Sequence, residues 1–213
     1  MKVFRKTILT TSLIFLVIAY SSPKALADNF YNHRISQFTI EDGLSQTGVT
    51  CLIIDRKGFL WIGTQDGLNR YDGYSFKTFR WQPTDKQSIC DNYIRSLCQD
   101  KNGNIWIATN NGLSLFNYQT ESFTNFFHSA NDQNSISSNS LYCVYQDSEG
   151  TLWIKTVETL EKYIPAENRF AHYFHYNNPF NYSTSDYGFP IFEDKMGQLW
   201  VGTKDGLNIF DRQ

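Results

Sequence analysis

The stretch that decides the fold runs from residue 55 to residue 68 and reads DRKGFLWIGTQDGL. It returns with variation three more times, over residues 100–113, 147–160 and 194–207. Its tryptophan therefore recurs at positions 61, 106, 153 and 200, with spacings of 45, 47 and 47 residues. A fixed period of this length is typical of repeat architectures, in which each repeat forms one small structural unit.

Each copy predicts a tight turn, a short strand and a second tight turn. Asp-x-x-Gly at 55–58 is turn chemistry, because the Asp side chain bonds nearby backbone N–H groups and Gly accepts a positive φ. The segment LWIGT at 60–64 is too short and too flanked by glycine for a helix. Asp-Gly at 66–67 is a pair that hairpin turns prefer. Both faces of the strand are apolar, with Trp61 on one of them, which predicts a strand packed between two sheets.

Further patterns predict four strands in each unit. Segments 49–54, 94–99 and 141–146 precede the tryptophan strands and are expected to be innermost, and pairs of the type Phe-x-x-Phe mark the outermost strands. The predicted fold is all-β, a partial β-propeller of about four four-stranded antiparallel blades. The expected blades lie at about residues 44–80, 89–127, 136–174 and 183–213, the last of them incomplete.

The third unit departs from the pattern, and the two ends of the chain raise the question of ring closure. Lys155 stands where the other units have Gly or Ala, and Thr159 replaces a hairpin Gly, so a different turn is expected there. Residues 33–39 resemble an outermost strand without a blade, and the fourth unit ends after its third strand. We expect an open arc, because four blades around a tight axis would crowd the inner strands. Its uncovered apolar faces would make the isolated chain poorly soluble or lead it to self-associate.

Residues 1–27 have the pattern of a cleaved signal peptide. A positively charged start precedes an apolar stretch at 8–20 and the small-residue sequence Ala-Leu-Ala at 25–27. The product, residues 28–213, is expected to be periplasmic or secreted, with no membrane span after cleavage. Removing four basic residues leaves 15 basic against 21 acidic ones, and no basic stripe stands out. We therefore expect no nucleic-acid partner.

The repeated motif resembles a known family. Asp-Gly-Leu-Ser at 42–45, followed by Asp-x-x-Gly-x-Leu-Trp-Ile-Gly-Thr-x-x-Gly-Leu-x-x-Tyr at 55–71, is similar to the two-component-regulator propeller repeat. The resemblance implies the exported sensor region of a hybrid histidine kinase, which detects oligosaccharides released from polysaccharides. It implies further propeller blades or a membrane kinase as partners. No kinase or output domain follows the fourth unit, so the sequence is expected to be an N-terminal fragment or a truncated product.

Catalytic and metal chemistry is not indicated. The recurring Asp at 55, 100, 147 and 194 lacks the ladder of acidic residues that a calcium loop needs, and is read as a turn former. Four cysteines are expected to be free thiols, since three lie on strands of different blades. Cys90 lies in a predicted loop and is the candidate for reactivity. We expect no cofactor and no metal site.

A ligand site is expected where the loops between blades meet the entrances of the inner strands. Sugars present apolar faces ringed by hydroxyls, so aromatic planes beside planar polar groups are suited to bind them. The candidate ligand-binding residues are Trp81, Arg95, Tyr142 and Tyr187. The alternative is an exported propeller enzyme, a lyase or glycosidase acting on polysaccharide. That class would need converging carboxylates near the ring centre, and the corresponding inner-strand positions carry none, so the sensor function is preferred.

Overall fold

The computed structural model describes residues 35–156, 158–174, 190–203, 206–210 and 212. The chain divides into two units, Met1–Gln37 and Phe38–Gln213. Of the first unit only residues 35–37 are described, and they have no regular secondary structure. The predicted signal peptide lies outside the described residues. In the second unit the described residues form strands and one short 3-10 helix, Ile40–Asp42, with no α-helix among them.

The strands group into four antiparallel sheets, each following chain order. Blade 1 contains β1 (Val49–Ile54), β2 (Leu60–Thr64), β3 (Gly67–Tyr71) and β4 (Phe76–Phe79). Blade 2 contains β5 (Ile94–Gln99), β6 (Ile105–Thr109), β7 (Gly112–Asn117) and β8 (Ser122–Phe126). Blade 3 contains β9 (Leu141–Gln146), β10 (Leu152–Thr156), β11 (Thr159–Ile164) and β12 (Arg169–Phe174). Blade 4 contains β13 (Ile191–Glu193), β14 (Leu199–Thr203) and β15 (Gly206–Phe210).

This architecture confirms the all-β propeller fold. The innermost strands begin and end where the sequence patterns place them, at 49–54, 94–99 and 141–146. The tryptophan strand is the second of each blade and pairs on both sides, as shown by Trp61 opposite Ile53 and Arg70. Blade 4 has three strands among the described residues, in the order β13-β14-β15.

The strand predicted at residues 33–39 is not found over its described part. Residues 35–39 carry no regular secondary structure, and β15 pairs only with β14 among the described residues. The physical reason is that a strand requires a partner backbone, and the pairing that would close the ring is not formed in the described chain. Phe38 packs instead on blade 1, with its ring 5.2 Å from that of Tyr71 and 5.6 Å from that of Phe76.

Each blade is held by a bond between its first turn and its tryptophan. In blade 1 the Asp55 Oδ1 accepts hydrogen bonds from the backbone N–H of Lys57 and Phe59, while Oδ2 accepts one from Trp61 Nε1 at 2.7 Å. The same Asp–Trp bond recurs in blades 2, 3 and 4 at 3.0, 2.7 and 2.9 Å. The prediction that these aspartates stabilise turns is therefore confirmed. Their second carboxylate oxygen also joins the turn to the tryptophan of the same blade.

The blades pack on one another through a repeated junction. Trp61 of blade 1 lies edge-on to Phe116 of blade 2, at 4.9 Å, and the equivalent pairs follow between blades 2 and 3 and between blades 3 and 4. At the first junction Gln99 Oε1 accepts a hydrogen bond from the backbone N–H of Arg56. The three hydrophobic clusters found among the described residues lie at these three junctions, so blades 1, 2 and 3 are each completed by the next one.

Candidate ligand-binding sites

An aromatic and cationic cluster lies at the entrance of the inner strands β5 and β9. The Arg95 guanidinium carbon lies 4.5 Å from the ring centre of Tyr93 and 5.0 Å from that of Tyr142. Its Nη2 donates a hydrogen bond to Asn110 Oδ1 at 3.1 Å, and Gln65 Nε2 donates one to Tyr93 Oη at 3.3 Å. We call these five residues the inner cluster. It places planar polar groups from two blades beside two half-buried tyrosines.

A second feature is a cavity of about 540 Å³ between the loop after β4 and strand β8. We call it the loop cavity. Trp81 and Phe127 line it, and their side chains are 50% and 46% exposed. Asp85 and Lys86 add charge of both signs, and Asn125 an amide. The loop itself is fixed, because Asn92 Oδ1 accepts from the backbone N–H of Trp81 at 2.8 Å and Ser88 Oγ from that of Gln82.

The four sequence-predicted ligand residues thus fall into separate places. Arg95 and Tyr142 lie together in the inner cluster, whereas Trp81 lines the loop cavity, whose lining includes neither of them. Tyr187 lies outside the described residues. Sequence reasoning missed Tyr93 and Phe127. The available signal was positional, since Tyr93 directly precedes an innermost strand and Phe127 directly follows an outermost one.

Blade 3 buries a set of ionisable side chains where the other blades have small or neutral residues. Lys155 is buried, and its Nζ donates to the carbonyl oxygen of Thr156 at 2.7 Å. Burial lowers the pKa of Lys155 to about 8, against a partly compensating attraction to Glu161. Glu161 is also buried; its Oε1 accepts from the backbone N–H of Ser137 at 2.9 Å and lies 3.5 Å from His172 Nδ1.

This buried set explains the departure of the third unit from the sequence pattern. Thr159 replaces the hairpin Gly, and its Oγ1 lies 2.8 Å from that of Thr156, so two hydroxyl groups bond across the turn. The turn keeps the two-residue length of the equivalent turns in blades 1 and 2, and one of its two residues, 157, lies outside the described residues, so a different turn stays a prediction. Because Glu161 is fully enclosed and held by structural hydrogen bonds, we interpret the set as internal packing of blade 3 rather than as an open catalytic site.

The four cysteines all lie within the described residues. All four cysteines are free thiols. Cys90, the candidate for reactivity, is buried and lies within hydrogen-bond distance of Thr109 Oγ1 and Ser114 Oγ, and burial raises the pKa of its thiol, which disfavours the reactive thiolate. In the part of the chain that the structure describes, no group of three or more His, Cys, Asp or Glu side chains could hold a metal ion.

The turn–strand–turn unit matches a known family. The family model of the two component regulator propeller matches residues 43–66, 88–111 and 135–158. Each match runs from before an innermost strand to the turn after a tryptophan strand. Three of the chain's four turn–strand–turn units thus match the two-component regulator propeller repeat. Blade 4 lies outside the matched residues, yet its Trp200 Nε1 donates to Asp194 Oδ2 as in the other propeller repeats.

Two proteins that this chain resembles are named as parts of two-component systems. Over 80 residues the chain is 45% identical to histidine kinase P4 of Formosa agariphila. These 80 residues make up 36% of this chain and cover 6% of that protein. A solved structure of the extracellular domain of the hybrid two component system BT3049 from B. thetaiotaomicron is 27% identical, with a TM-score of 0.65. The match covers 84% of this chain and 30% of that one. The propeller repeats described here therefore span only a small part of these relatives.

A more distant likeness shows the fold alone. Virginiamycin B lyase from Staphylococcus aureus is 14% identical, with a TM-score of 0.57, and the match covers 85% of this chain and 60% of the lyase.

No helix among the described residues is long and apolar enough to cross a membrane.

Proposed function

We propose that this chain is a ligand-binding sensor propeller of an exported two-component regulator, located in the periplasm or secreted, and that its ligand is an oligosaccharide. The sensor part is supported by the likeness to the extracellular domain of BT3049 and by the identity with a histidine kinase over 80 residues. A membrane kinase and further propeller blades are the partners proposed for it. The oligosaccharide part rests on the chain's own loop cavity.

The loop cavity carries the proposal of a sugar ligand. A sugar ring has an apolar face that packs on an aromatic plane, and hydroxyl groups that need planar hydrogen-bonding partners around it. Trp81 and Phe127 offer half-exposed aromatic surface, and Asp85 and Lys86 lie in the same lining. A volume of about 540 Å³ is within the usual range for small-molecule pockets. Because hydrogen bonds already fix the loop, little ordering entropy would be lost on binding.

Calorimetric titration of residues 28–213 with a panel of neutral and charged oligosaccharides tests this function. We expect binding to at least one member, and Trp81→Ala should weaken it by about tenfold or more, which corresponds to about 1.4 kcal/mol. Tyr74→Ala is the matched control, since Tyr74 is an exposed aromatic residue outside the cavity lining and its loss should leave affinity unchanged.

Two outcomes would contradict the proposal. Loss of binding in Arg95→Gln, with Trp81→Ala unaffected, would move the site to the inner cluster. The chain must first show the circular dichroism of a folded β protein. If this folded chain binds no oligosaccharide of the panel, the proposal of an oligosaccharide ligand is wrong.

A further inference from the structure

One pair of polar side chains recurs across the third and fourth strands of blades 1, 2 and 3. The pairs lie directly opposite each other and are Asn69–Thr78, Ser114–Asn125 and Glu161–His172. In blades 1 and 2 a neutral hydrogen bond joins the two side chains, at 3.0 and 2.6 Å. In blade 3 both members are ionisable. The same position of the fold thus exists in a neutral form and in an ionisable form.

The neutral pair of blade 2 holds the loop that leads into this blade. Asn125 Nδ2 donates to the carbonyl oxygens of Lys86 and Ser88, at 3.4 and 2.8 Å. Ser114 Oγ accepts a hydrogen bond from the backbone N–H of Cys90 at 3.2 Å. The loop of residues 80–93 is therefore attached to its sheet at both members of the pair.

The ionisable pair of blade 3 holds the next loop, residues 127–140, in the same way. His172 Nε2 lies 3.0 Å from the carbonyl oxygen of Gln133, and Glu161 Oε1 accepts from the backbone N–H of Ser137 at 2.9 Å. The other attachments of the two loops also correspond. The second residue of each loop donates its backbone N–H to an asparagine side chain of the same loop. Each loop also bonds the backbone of its outermost strand at 2.8 Å.

The contacts of His172 determine where its protons lie. The carbonyl oxygen of Gln133 can only accept, so Nε2 must carry a hydrogen atom. In a neutral imidazole the other nitrogen then presents a lone pair. That nitrogen, Nδ1, is buried, has no hydrogen-bond partner within the described chain, and lies 3.5 Å from Glu161 Oε1. A neutral His172 would therefore place a lone pair opposite a buried carboxylate.

Glu161 lacks a donor on the same side chain. It is fully buried, and its Oε1 accepts from the backbone N–H of Ser137 and from Thr159 Oγ1, both at 2.9 Å. Its Oε2 is buried without a hydrogen-bond partner among the described residues, which is costly for a carboxylate. A proton on His172 Nδ1 would supply a donor to this carboxylate and convert the 3.5 Å approach into a shorter, charge-assisted bond.

The other ionisable groups around the pair do not replace this donor. Lys155 on β10 attracts Glu161, but its Nζ donates to backbone carbonyl oxygens of the turn that follows β10. Glu158 in that turn adds a negative charge. On the loop side, His128 Nδ1 lies 2.8 Å from a backbone carbonyl oxygen of its own loop, and Asp132 is exposed. None of these groups bonds Oε2 of Glu161.

We propose that Glu161 and His172 form a proton-binding pair that makes the attachment of loop 127–140 to blade 3 dependent on pH. With the proton bound, the imidazolium donates through Nε2 to the loop and through Nδ1 to Glu161. Without it, the lone pair and the buried carboxylate repel each other, and the contact with Gln133 weakens. The attached loop therefore binds the proton more tightly than the detached loop. Attachment is favoured at acidic pH and weakens as the pH rises through the range in which histidine changes charge.

Hydrogen exchange of the wild-type chain at pH 5 and pH 7, corrected for the intrinsic exchange rates, tests the pair. Lys155 remains largely charged over this range. Protection of loop 127–140 should fall as the pH rises, by up to about tenfold per pH unit for one linked proton. Loop 80–93 is the internal control, because a neutral pair holds it through corresponding bonds, and its protection should not change. Equal protection of loop 127–140 at both pH values, or an equal loss in both loops, would overturn the proposal.

Glu161→Gln removes the need for the proton and keeps the shape of the side chain. Its amide oxygen can still accept from Ser137, and its NH2 group can donate to the lone pair of a neutral His172. Loop 127–140 of this variant should be equally protected at pH 5 and pH 7. A pH dependence that persists in Glu161→Gln would contradict the pair.

Nuclear magnetic resonance of the ring nitrogens gives a readout that needs no folded variant of Glu161. The signals of His172 are identified by their loss in His172→Asn, which carries the residue of blade 2 at this position. In the wild type both ring nitrogens of His172 should be protonated at pH 5, and the proton should leave Nδ1 over the same pH range in which the loop loses protection. A His172 that is neutral at pH 5, or that titrates without any change in the loop, would overturn the proposal.

Discussion

At the scale of single residues, the aspartate of each first turn stabilises its blade by accepting a hydrogen bond from the tryptophan of the next strand. Asp55 is nearly fully buried and accepts hydrogen bonds from two backbone N–H groups, from Trp61 and from Tyr118 of the next blade. Burial by itself would raise the pKa of this carboxyl group, but the bonds from Tyr118, Trp61 and the backbone outweigh it, and the pKa lies below its ordinary value.

Asp55→Asn tests this network through its dependence on pH. The variant should lose about 1–3 kcal/mol of unfolding free energy at neutral pH, because the charged acceptor strengthens each bond. Since the folded-state pKa is lowered, the stabilisation is present above the unfolded pKa of about 3.8 and is lost as the pH falls through the folded value. Urea unfolding of both proteins should therefore show a difference at pH 7 that shrinks towards pH 3.

The control for this measurement is Asp72→Asn. Asp72 also accepts bonds from backbone N–H groups, of Tyr74 and Ser75, but it lies on an exposed turn and touches no tryptophan. A loss of stability in this variant as large as that of Asp55→Asn would show that turn formation, and not the bond to the buried tryptophan, is what matters.

Lys155 gives a second prediction, in which the unfolding free energy again rises with pH but over an alkaline range. Its pKa is lowered from 10.5 to about 8 by burial, so between these values the unfolded chain binds more protons than the folded one. The unfolding free energy of the wild type, measured relative to that of Lys155→Met, should therefore rise from pH 8 towards pH 10. The comparison with Lys155→Met cancels the cysteines and tyrosines, which titrate in the same range in both proteins. A difference that is constant over this range would contradict the buried, charged lysine.

Residue roles were predictable where they depend on neighbours in the chain. The turn role of Asp55 could be predicted because Asp-x-x-Gly is local chemistry. Its bond to Trp61 Nε1 could not, because it needs the turn to fold back along the strand, although the constant spacing of six residues in all four repeats was a usable signal. The burial of Cys90 was missed because a loop in the sequence is here covered by the next blade.

At the scale of strands and sheets, close contact between blades limits which residues fit behind each tryptophan. Gly63 in β2 lies two residues after Trp61, and a Cβ atom there would come within 2.6 Å of Cys51 Sγ and of Ile94 Cγ2. Ala108 is the equivalent residue of blade 2 and Lys155 that of blade 3, so the space behind the strand differs from blade to blade.

Gly63→Ala should accordingly destabilise the protein, by about 1–3 kcal/mol, because the added methyl group overpacks the junction between blades 1 and 2. Thermal unfolding followed by circular dichroism measures the effect. Gly73→Ala serves as a comparison: its φ is positive, but no atom lies within 4 Å of the added group, so only the backbone penalty of about 1 kcal/mol remains. Equal losses in the two variants would show that backbone strain, not packing, decides.

The boundaries of the tryptophan strands in blades 1 and 2 were predictable because turns rich in glycine, aspartate and asparagine enclose them. The residues that pack against each strand could not be predicted in the same way. The sequence placed Trp81 and Arg95 in one site because both lie near loops on the same side of the blades, yet the structure separates the loop cavity from the inner cluster. Which loop folds over which strand depends on contacts such as the backbone N–H of Phe123 with the carbonyl of Gln87, and no local pattern encodes these.

At the scale of the whole molecule, stability should decrease towards blade 4. Blades 1 to 3 have four strands and a buried tryptophan, whereas β15 has one strand neighbour among the described residues and a half-buried Trp200 beside it. The number of blades followed from the repeat period alone. Whether the ring closes could not be predicted from the repeat period, because closure depends on the angle between blades rather than on any single residue.

Hydrogen exchange measured by mass spectrometry tests this gradient. In the wild-type chain, peptides from β14 and β15 should exchange faster than those from β6 and β7. Uniform protection of all four blades would contradict the expected gradient.

The junctions have a consequence for the order in which the molecule forms as it is synthesised. The bond between Asp55 and Trp61 is made within one repeat, but the ring against which Trp61 packs, that of Phe116, lies 55 residues further along the chain. A nascent blade can thus assemble its turn and hairpin at once but must leave its apolar side open until the next repeat has been translated. Folding therefore trails synthesis by one repeat.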